Sequence, residues 1–280
     1  MQKTTLQTTA KPSFTEFALI NAKDILSRVN DASQFFHELS TYPQTKQALL
    51  ELETTLGIKF NDQTWPLRAL VHRSFMNDAK EKGICSNERL EFLGDSLIGA
   101  LVSRQLYEQF SHLPEGDLSK LRAALVNENS FTQLAGVLKL EDLLIVGKGE
   151  WLGKNYVQGG ALADGFEAMM AAVANDLGPE AMKTAFNNVI KALPHAYYDD
   201  SRLKDFDPKT TLQETTMALY KEAPTYEAVE VSNGLFVVAL KLRGKQLLSL
   251  DGHSKKKTEK ELARRVLAGN LHLEGDQHAH

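Results

Sequence analysis

Apolar positions recur at helical spacing from Gln47 to about Pro194, in LLELETTLGI, WPLRALVHRSF, RLEFLGDSLIGALVSRQLYEQF and KLRAALVNENSFTQLAGVL, with Gly and Pro only as punctuation. The pattern predicts an all-helical domain over residues 46–196. Ahead of it, residues 1–45 begin polar and become helix-like, with Ser13 and Glu16 spaced as a capping box before Phe17, Ala18 and Ile20. Residues 197–206, within YYDDSRLKDFDPK, lack sustained periodicity and read as a linker ahead of a helix-starting Asp-Pro. The period then changes. TTLQETTMALYKE is helical, whereas TYEAVEV, LFVVALKLR and KQLLSL are β-branched or aromatic runs separated by Asn233-Gly234 and Arg243-Gly244. SKKKTEKELARRVLAGN returns to helical spacing through Leu262, Val266 and Leu267, giving α-β-β-β-α over residues 207–273 and a tail at 274–280.

Length and composition narrow this picture without changing it. A chain of 280 residues with 42% hydrophobic and 24% charged residues can bury a core in one to three domains, which excludes disordered, collagen-like and disulfide-scaffold classes. Cys85 is the single cysteine and has no disulfide partner, so nothing in the fold needs an oxidising compartment. No apolar run reaches the roughly 18 residues of a spanning helix, and MQKTTLQTTAKP has no secretory h-region. A cytoplasmic location, away from membranes, is the expectation. The formal charge is −4, yet residues 207–273 hold eleven Lys/Arg against eight Asp/Glu, with Lys255, Lys256 and Lys257 consecutive. Clustering of this kind bears on nucleic acid more than the net sum does.

The densest chemical signal is NERLEFLGDS, where Glu88, Glu91 and Asp95 stand at i, i+3 and i+7 on one face of a predicted helix. Like charges this close raise one another's pKa unless solvent or cations compensate them. Asp164 and Glu167 in ALADGFEAMMAAV repeat the i, i+3 spacing on another apolar helix. Either pair alone is usually a solvated face. Two such helices crossing would gather four or five oxygens, the donor set of a hard divalent cation such as Mg2+. Other groups carry weaker signals. His72 suits packing and hydrogen bonding more than catalysis, and Cys85 lacks a motif partner. His278 and His280 sit in an unpatterned tail, and Gly147 and Gly149 lack the spacing of a phosphate loop. Phe92 divides evenly between core packing and an interface.

NERLEFLGDSLIGALVSRQLY resembles the ribonuclease III signature, and PEGDLSKLRAALVNENSF and ALADGFEAMMAAV resemble later segments of that family in the same order. DPKTTLQE, PTY and GHSKKKTEKELA resemble the double-stranded RNA-binding domain that follows in bacterial ribonuclease III, so the resemblance covers about residues 47–270. It implies a mainly α catalytic domain of the ribonuclease III endonuclease fold, followed by an α+β domain of the α-β-β-β-α double-stranded RNA-binding fold. Glu91, Asp95, Asp164 and Glu167 fall on the family's metal-linked acids and are implied to hold Mg2+, or Mn2+ as a substitute, with Asp95 and Glu167 foremost in catalysis. Glu88 and Glu115 match more peripheral acids. Gln213 and Glu214 are implied to meet 2′-hydroxyls, and Lys255, Lys256 and Lys257 to meet phosphates. The implied reaction is attack of metal-activated water on a phosphodiester of double-stranded RNA, leaving 5′-phosphate and 3′-hydroxyl ends. Processing of ribosomal, messenger and other structured RNA precursors, in a homodimer joined through the catalytic domain, follows from the same resemblance.

Two departures from the family pattern stand out. The first interstrand loop shrinks to Ser232-Asn233-Gly234, removing an expected minor-groove contact, and Thr258 replaces a typical small Ala. The alternative function is a non-catalytic double-stranded RNA-binding or ribosome-associated protein, against which retention of all six acids argues. An added protein-interaction role for the N-terminal helices stays open.

Overall fold

The structure, a computed structural model, describes residues 13–79, 82–158, 160–199 and 208–269. It divides into two compact units: residues 1–112 with 125–198, and residues 113–124 with 199–280. Residues 113–124, which the hydrophobic pattern places inside the helical domain, group with the second unit. His278, His280 and most of the expected linker lie outside the described residues.

The first unit is helical, with α1 (Phe14–Arg28), α2 (Ala32–Thr41), α3 (Pro43–Leu56), α4 (Thr64–Ala69), a 3-10 turn at Arg73–Phe75, α5 (Met76–Ala79) and α6 (Glu88–Gln109). After α7 (Glu115–Leu125), most of which belongs to the second unit, come α8 (Glu128–Val137), α9 (Lys148–Gly153), α10 (Asn155–Gln158), α11 (Ala161–Leu177) and α12 (Pro179–Lys191). The Ser13 hydroxyl accepts a hydrogen bond from the Glu16 amide at 3.2 Å, so half of the expected capping box caps α1. Far from being an appendage, the first helices complete the core: Ile25, Phe35 and Leu39 are fully buried, and the Phe35 ring lies 6.0 Å from that of Phe75.

At the centre is α11, apolar nearly all round and therefore enclosed by neighbours on every side. Phe166 and every residue from Ala168 to Val173 are fully buried, and α4, α6, α8 and α12 pack around them. A chain of rings, Phe131, Phe166, Phe186 and Tyr197, runs through this core with centroids 5.8, 6.2 and 5.6 Å apart. Tyr197, at the start of the expected linker, is buried and donates its hydroxyl to the Leu125 carbonyl at 2.8 Å. Each such ring contributes about 1.5–3 kcal/mol by leaving water.

In the second unit, α13 (Pro208–Tyr220) and α14 (Lys255–Ala268) pack together beside the antiparallel sheet β1 (Thr225–Ser232), β2 (Leu235–Leu242) and β3 (Lys245–Gly252). The order α-β-β-β-α is the one the periodicity predicts. Leu212, Val238, Leu240, Leu262 and Ala263 form the core. Asn233-Gly234 joins Ser232 to its partner Leu235, and Arg243-Gly244 joins Leu242 to Lys245. Positive φ at both Arg243 and Gly244 (53° and 71°) is what a type I′ hairpin turn demands, whereas in the first turn Gly234 alone has it (74°). Among the described residues no helix is long and apolar enough to cross a membrane.

Candidate functional site

The site begins at a helix crossing. A Cβ on Gly94 of α6 would lie 1.9 Å from the Glu167 carbonyl oxygen of α11, so only glycine lets the two backbones approach so closely. Glu91 stands three residues before Gly94, and Asp164 one turn before Glu167. Carboxylate oxygens of Glu91, Asp164 and Glu167 consequently lie within 4.8 Å of one another, all three residues being partly buried.

Burial is the largest cause of an upward pKa displacement at each of these acids, and neighbouring charge adds to it. Glu91 is also raised by Asp164 and Glu88. At Asp164, Arg73 opposes the rise while Glu128 and Glu88 reinforce it. Glu167 feels Asp95, Glu91 and Asp164 and is pushed up to about 8. Without a cation the cluster thus holds a proton at neutral pH. Its donors are oxygens alone, with no Cys or His in the group, which suits a hard divalent ion over zinc or copper.

Asp95 is exposed and outside the three-way cluster, although its charge is the leading one acting on Glu167. Glu88 is exposed too, accepts a hydrogen bond from the Ser86 hydroxyl at 2.6 Å, and influences Glu91 and Asp164. Glu115 opens α7 in the second unit and accepts from the Ser119 hydroxyl at 2.8 Å. Two groups that the spacing did not single out enter the site. A Cβ on Gly160 would be 3.6 Å from both Glu128 Oε1 and Asp164 Oδ1, which puts Glu128 beside the cluster. In sequence Glu128 reads only as a helix-start acid after the cap Asn127. Arg73 is the second, a cation whose charge reaches both Glu91 and Asp164.

The bland readings of other groups have a structural basis. His72 is buried, its Nδ1 lies 2.8 Å from the Ser74 hydroxyl, and burial pushes its pKa down, so it is a neutral cap of the 3-10 turn. A Cβ on Gly147 would fall 2.5 Å from the Ser74 carbonyl oxygen, which makes that glycine a close-packing position and no phosphate loop. Cys85 is exposed and free. Phe92 is 78% exposed on α6, which removes it from the core of this chain.

In the second unit, Gln213 and Glu214 are exposed on α13, where Glu214 lies 3.7 Å from Lys120 of α7. Lys255, Lys256 and Lys257 are exposed on the first turn of α14, which Ser254 caps. Lys255 Nζ lies 4.7 Å from the Phe236 ring centroid. Thr258 is buried against the sheet: a Cβ on Gly252 would sit 2.3 Å from its hydroxyl oxygen.

An oxygen-only carboxylate cluster at a helix crossing has the donor set that suits a hard divalent cation. Comparisons with known proteins narrow the reading. The family model described as Ribonuclease-III-like matches residues 62–193. The protein named Ribonuclease 3 from Campylobacter fetus is 38% identical over 225 residues, covering 79% of this chain and 97% of its own length. Ribonuclease 3 from Syntrophobacter fumaroxidans is 37% identical over 226 residues, covering 77% and 92%. Among solved structures, the nuclease domain of ribonuclease III from Campylobacter jejuni matches with 37% identity and a TM-score of 0.47, over 52% of this chain and 97% of that one. The chain belongs to the ribonuclease III family and is an endoribonuclease of that family.

Proposed function

We propose that the protein hydrolyses the backbone of double-stranded RNA with water activated by a divalent cation, leaving 5′-phosphate and 3′-hydroxyl ends. The observation that carries this reading is the convergence of Glu91, Asp164 and Glu167, three partly buried carboxyls with raised pKa. Such a group is costly to the fold unless it serves a ligand that repays the repulsion. Glu91, Asp164 and Glu167 would hold the ion, Mg2+ or Mn2+ in its place, with Asp95 at the open side of the cluster. When bound, the cation supplies Lewis acidity that lowers the pKa of a water and offsets phosphate charge. The chain's own part is to fix the carboxylates on two rigid helices and to give up the proton that Glu167 holds when the ion arrives. Glu88 and Glu115 take peripheral parts.

Docking falls to the second unit, where Lys255, Lys256 and Lys257 meet phosphates at a helix start whose free N–H groups also favour anions. Gln213 and Glu214 take 2′-hydroxyls, and a domain of this kind reads duplex shape instead of sequence. The exposed rings of Phe92 and Tyr107 on α6, 78% and 74% accessible, suit a homodimer formed through the helical unit. Structured precursors such as ribosomal RNA, in the cytoplasm, are the substrates we expect.

The test is cleavage of long duplex RNA by the full chain with Mg2+ or with EDTA. Wild type should cut only with the cation, and Glu167→Gln or Asp95→Asn should suppress cutting while duplex binding persists. Near wild-type turnover of both variants at limiting Mg2+ would sink the assignment.

A further inference from the structure

Beside the acid cluster lies a cavity of about 530 Å³ whose lining includes Arg73, Asn155, Tyr156 and Asp164. Its walls place one cation and neutral donors beside two acids, Glu150 and the cluster's Asp164. We propose that Arg73 is a phosphate ligand for the bound RNA strand, holding a backbone phosphate at the mouth of this cavity, and not merely a counter-charge to the acids. The inference rests on the reading that the cluster is the cleavage site.

Two structural facts favour a ligand role. Arg73 is exposed and makes neither an ion pair nor a hydrogen bond with any described residue, although its charge reaches Glu91 and Asp164. A guanidinium built to neutralise those acids would close on one of them with its forked donors. Here no described residue engages the five N–H donors.

The second fact is the rigidity of its base. The Val71 carbonyl accepts from the Asn87 amide at 2.8 Å, the His72 amide donates to the Ile145 carbonyl at 2.9 Å, and the Ser74 hydroxyl accepts from the Gly147 amide at 2.9 Å. Asn87 immediately precedes α6, so the Arg73 turn is tied to the helix that carries Glu91. Arg73 is thus a free arm on a fixed mount between the starts of α6 and α11. Binding a phosphate would cost side-chain freedom but no backbone ordering. The planar fork matches two non-bridging phosphate oxygens, whereas a lysine offers a point charge. Asn155 and Tyr156 add neutral donors to the lining of the same cavity.

The experiment uses the full chain and a short RNA duplex, with binding read by fluorescence anisotropy across a salt series. Ca2+ replaces Mg2+, and a gel checks that the duplex stays intact. Arg73→Ala should weaken binding about tenfold, the usual loss for a hydrogen-bonded charge contact, and lower the log–log salt slope by about one phosphate. Arg73→Lys keeps the charge but not the fork, so it should restore the slope while leaving affinity several-fold below wild type. Unchanged affinity and slope in Arg73→Ala, or a lysine variant equal to wild type, would overturn the proposal. A wild-type chain that binds duplex but never cleaves it with Mg2+ would instead overturn the cleavage reading alone, since the anisotropy comparison decides the role of Arg73 without turnover.

Discussion

Replacing Glu167 by Gln removes a carboxyl that the metal-free protein keeps protonated up to about pH 8, against an ordinary value of 4.5. Because the folded chain holds this proton more tightly than the unfolded chain, the folded state binds more protons throughout that window. Stability must therefore be fullest below about pH 4.5 and fall as pH rises toward 8. The whole displacement corresponds to about 5 kcal/mol. Glu167 is only partly buried and its rise is coupled to that of Glu91, so solvent screening leaves about 1–2 kcal/mol. Glutamine has the same shape and no charge to desolvate, which frees the variant from most of this loss. For a unit of this size about 1 kcal/mol moves the midpoint by roughly 2–4 °C. In thermal unfolding followed by circular dichroism in EDTA, Glu167→Gln should melt about 2–8 °C above wild type at pH 9 and close to it at pH 5. Mg2+ at pH 8 should raise the wild-type midpoint and affect the variant much less, since the proposed ion site includes a group the variant lacks. Parallel pH dependences in the two proteins would refute the reasoning, because the repulsion inferred at this site would then be absent.

Other substitutions test the packing that builds the two sites. Gly94→Ala gains about 1 kcal/mol of helix propensity but drives a Cβ into the backbone of α11, so a net loss of about 2 kcal/mol in chemical denaturation and a weaker Mg2+ response are expected. Gly252→Ala should cost about 1–2 kcal/mol by collision with the Thr258 hydroxyl, and the same change in a Thr258→Ala background should cost clearly less; additive costs would contradict the contact. Lys255→Ala combined with Lys256→Ala should weaken binding to all duplexes about equally and flatten the salt slope by about two, as loss of phosphate contacts requires; an unchanged slope would exclude them as phosphate ligands.

What the sequence made legible was everything governed by local period. Helical spacing marked the first unit, alternation and Asn-Gly or Arg-Gly turns marked the hairpins, and the i, i+3 pairs exposed the acids. Convergence is a different matter, because it depends on where helices cross. Glu88, Glu91 and Asp95 share one stripe of α6, yet beside the close approach at Gly94 only Glu91 joins the acids of α11, while Asp95 and Glu88 stay exposed. Glu128 and Arg73 come from other segments, and their signals were those of a helix start and an unremarked HRS tripeptide. The first helices looked chemically silent because an apolar face has no meaning until its partner is known, and Phe35 finds its partner in Phe75, forty residues away.

Glycine explains most of what stayed hidden. In a periodicity reading Gly94, Gly147 and Gly252 are punctuation, yet none of them has positive φ, and each is needed because a neighbouring group occupies the space of its missing side chain. Gly94 admits the backbone of α11, Gly147 admits the Ser74 carbonyl, and Gly252 admits Thr258. The first two bracket the acid cluster: one sets the distance between Glu91 and Glu167, the other pins the turn that carries Arg73. A chain can move an acid or a base along a helix by whole turns and keep the period intact, but the gap between two helices is set by their smallest contact residue. The geometry of the acid cluster is therefore encoded less in the spacing of its carboxylates than in the two places where a side chain is withheld beside them.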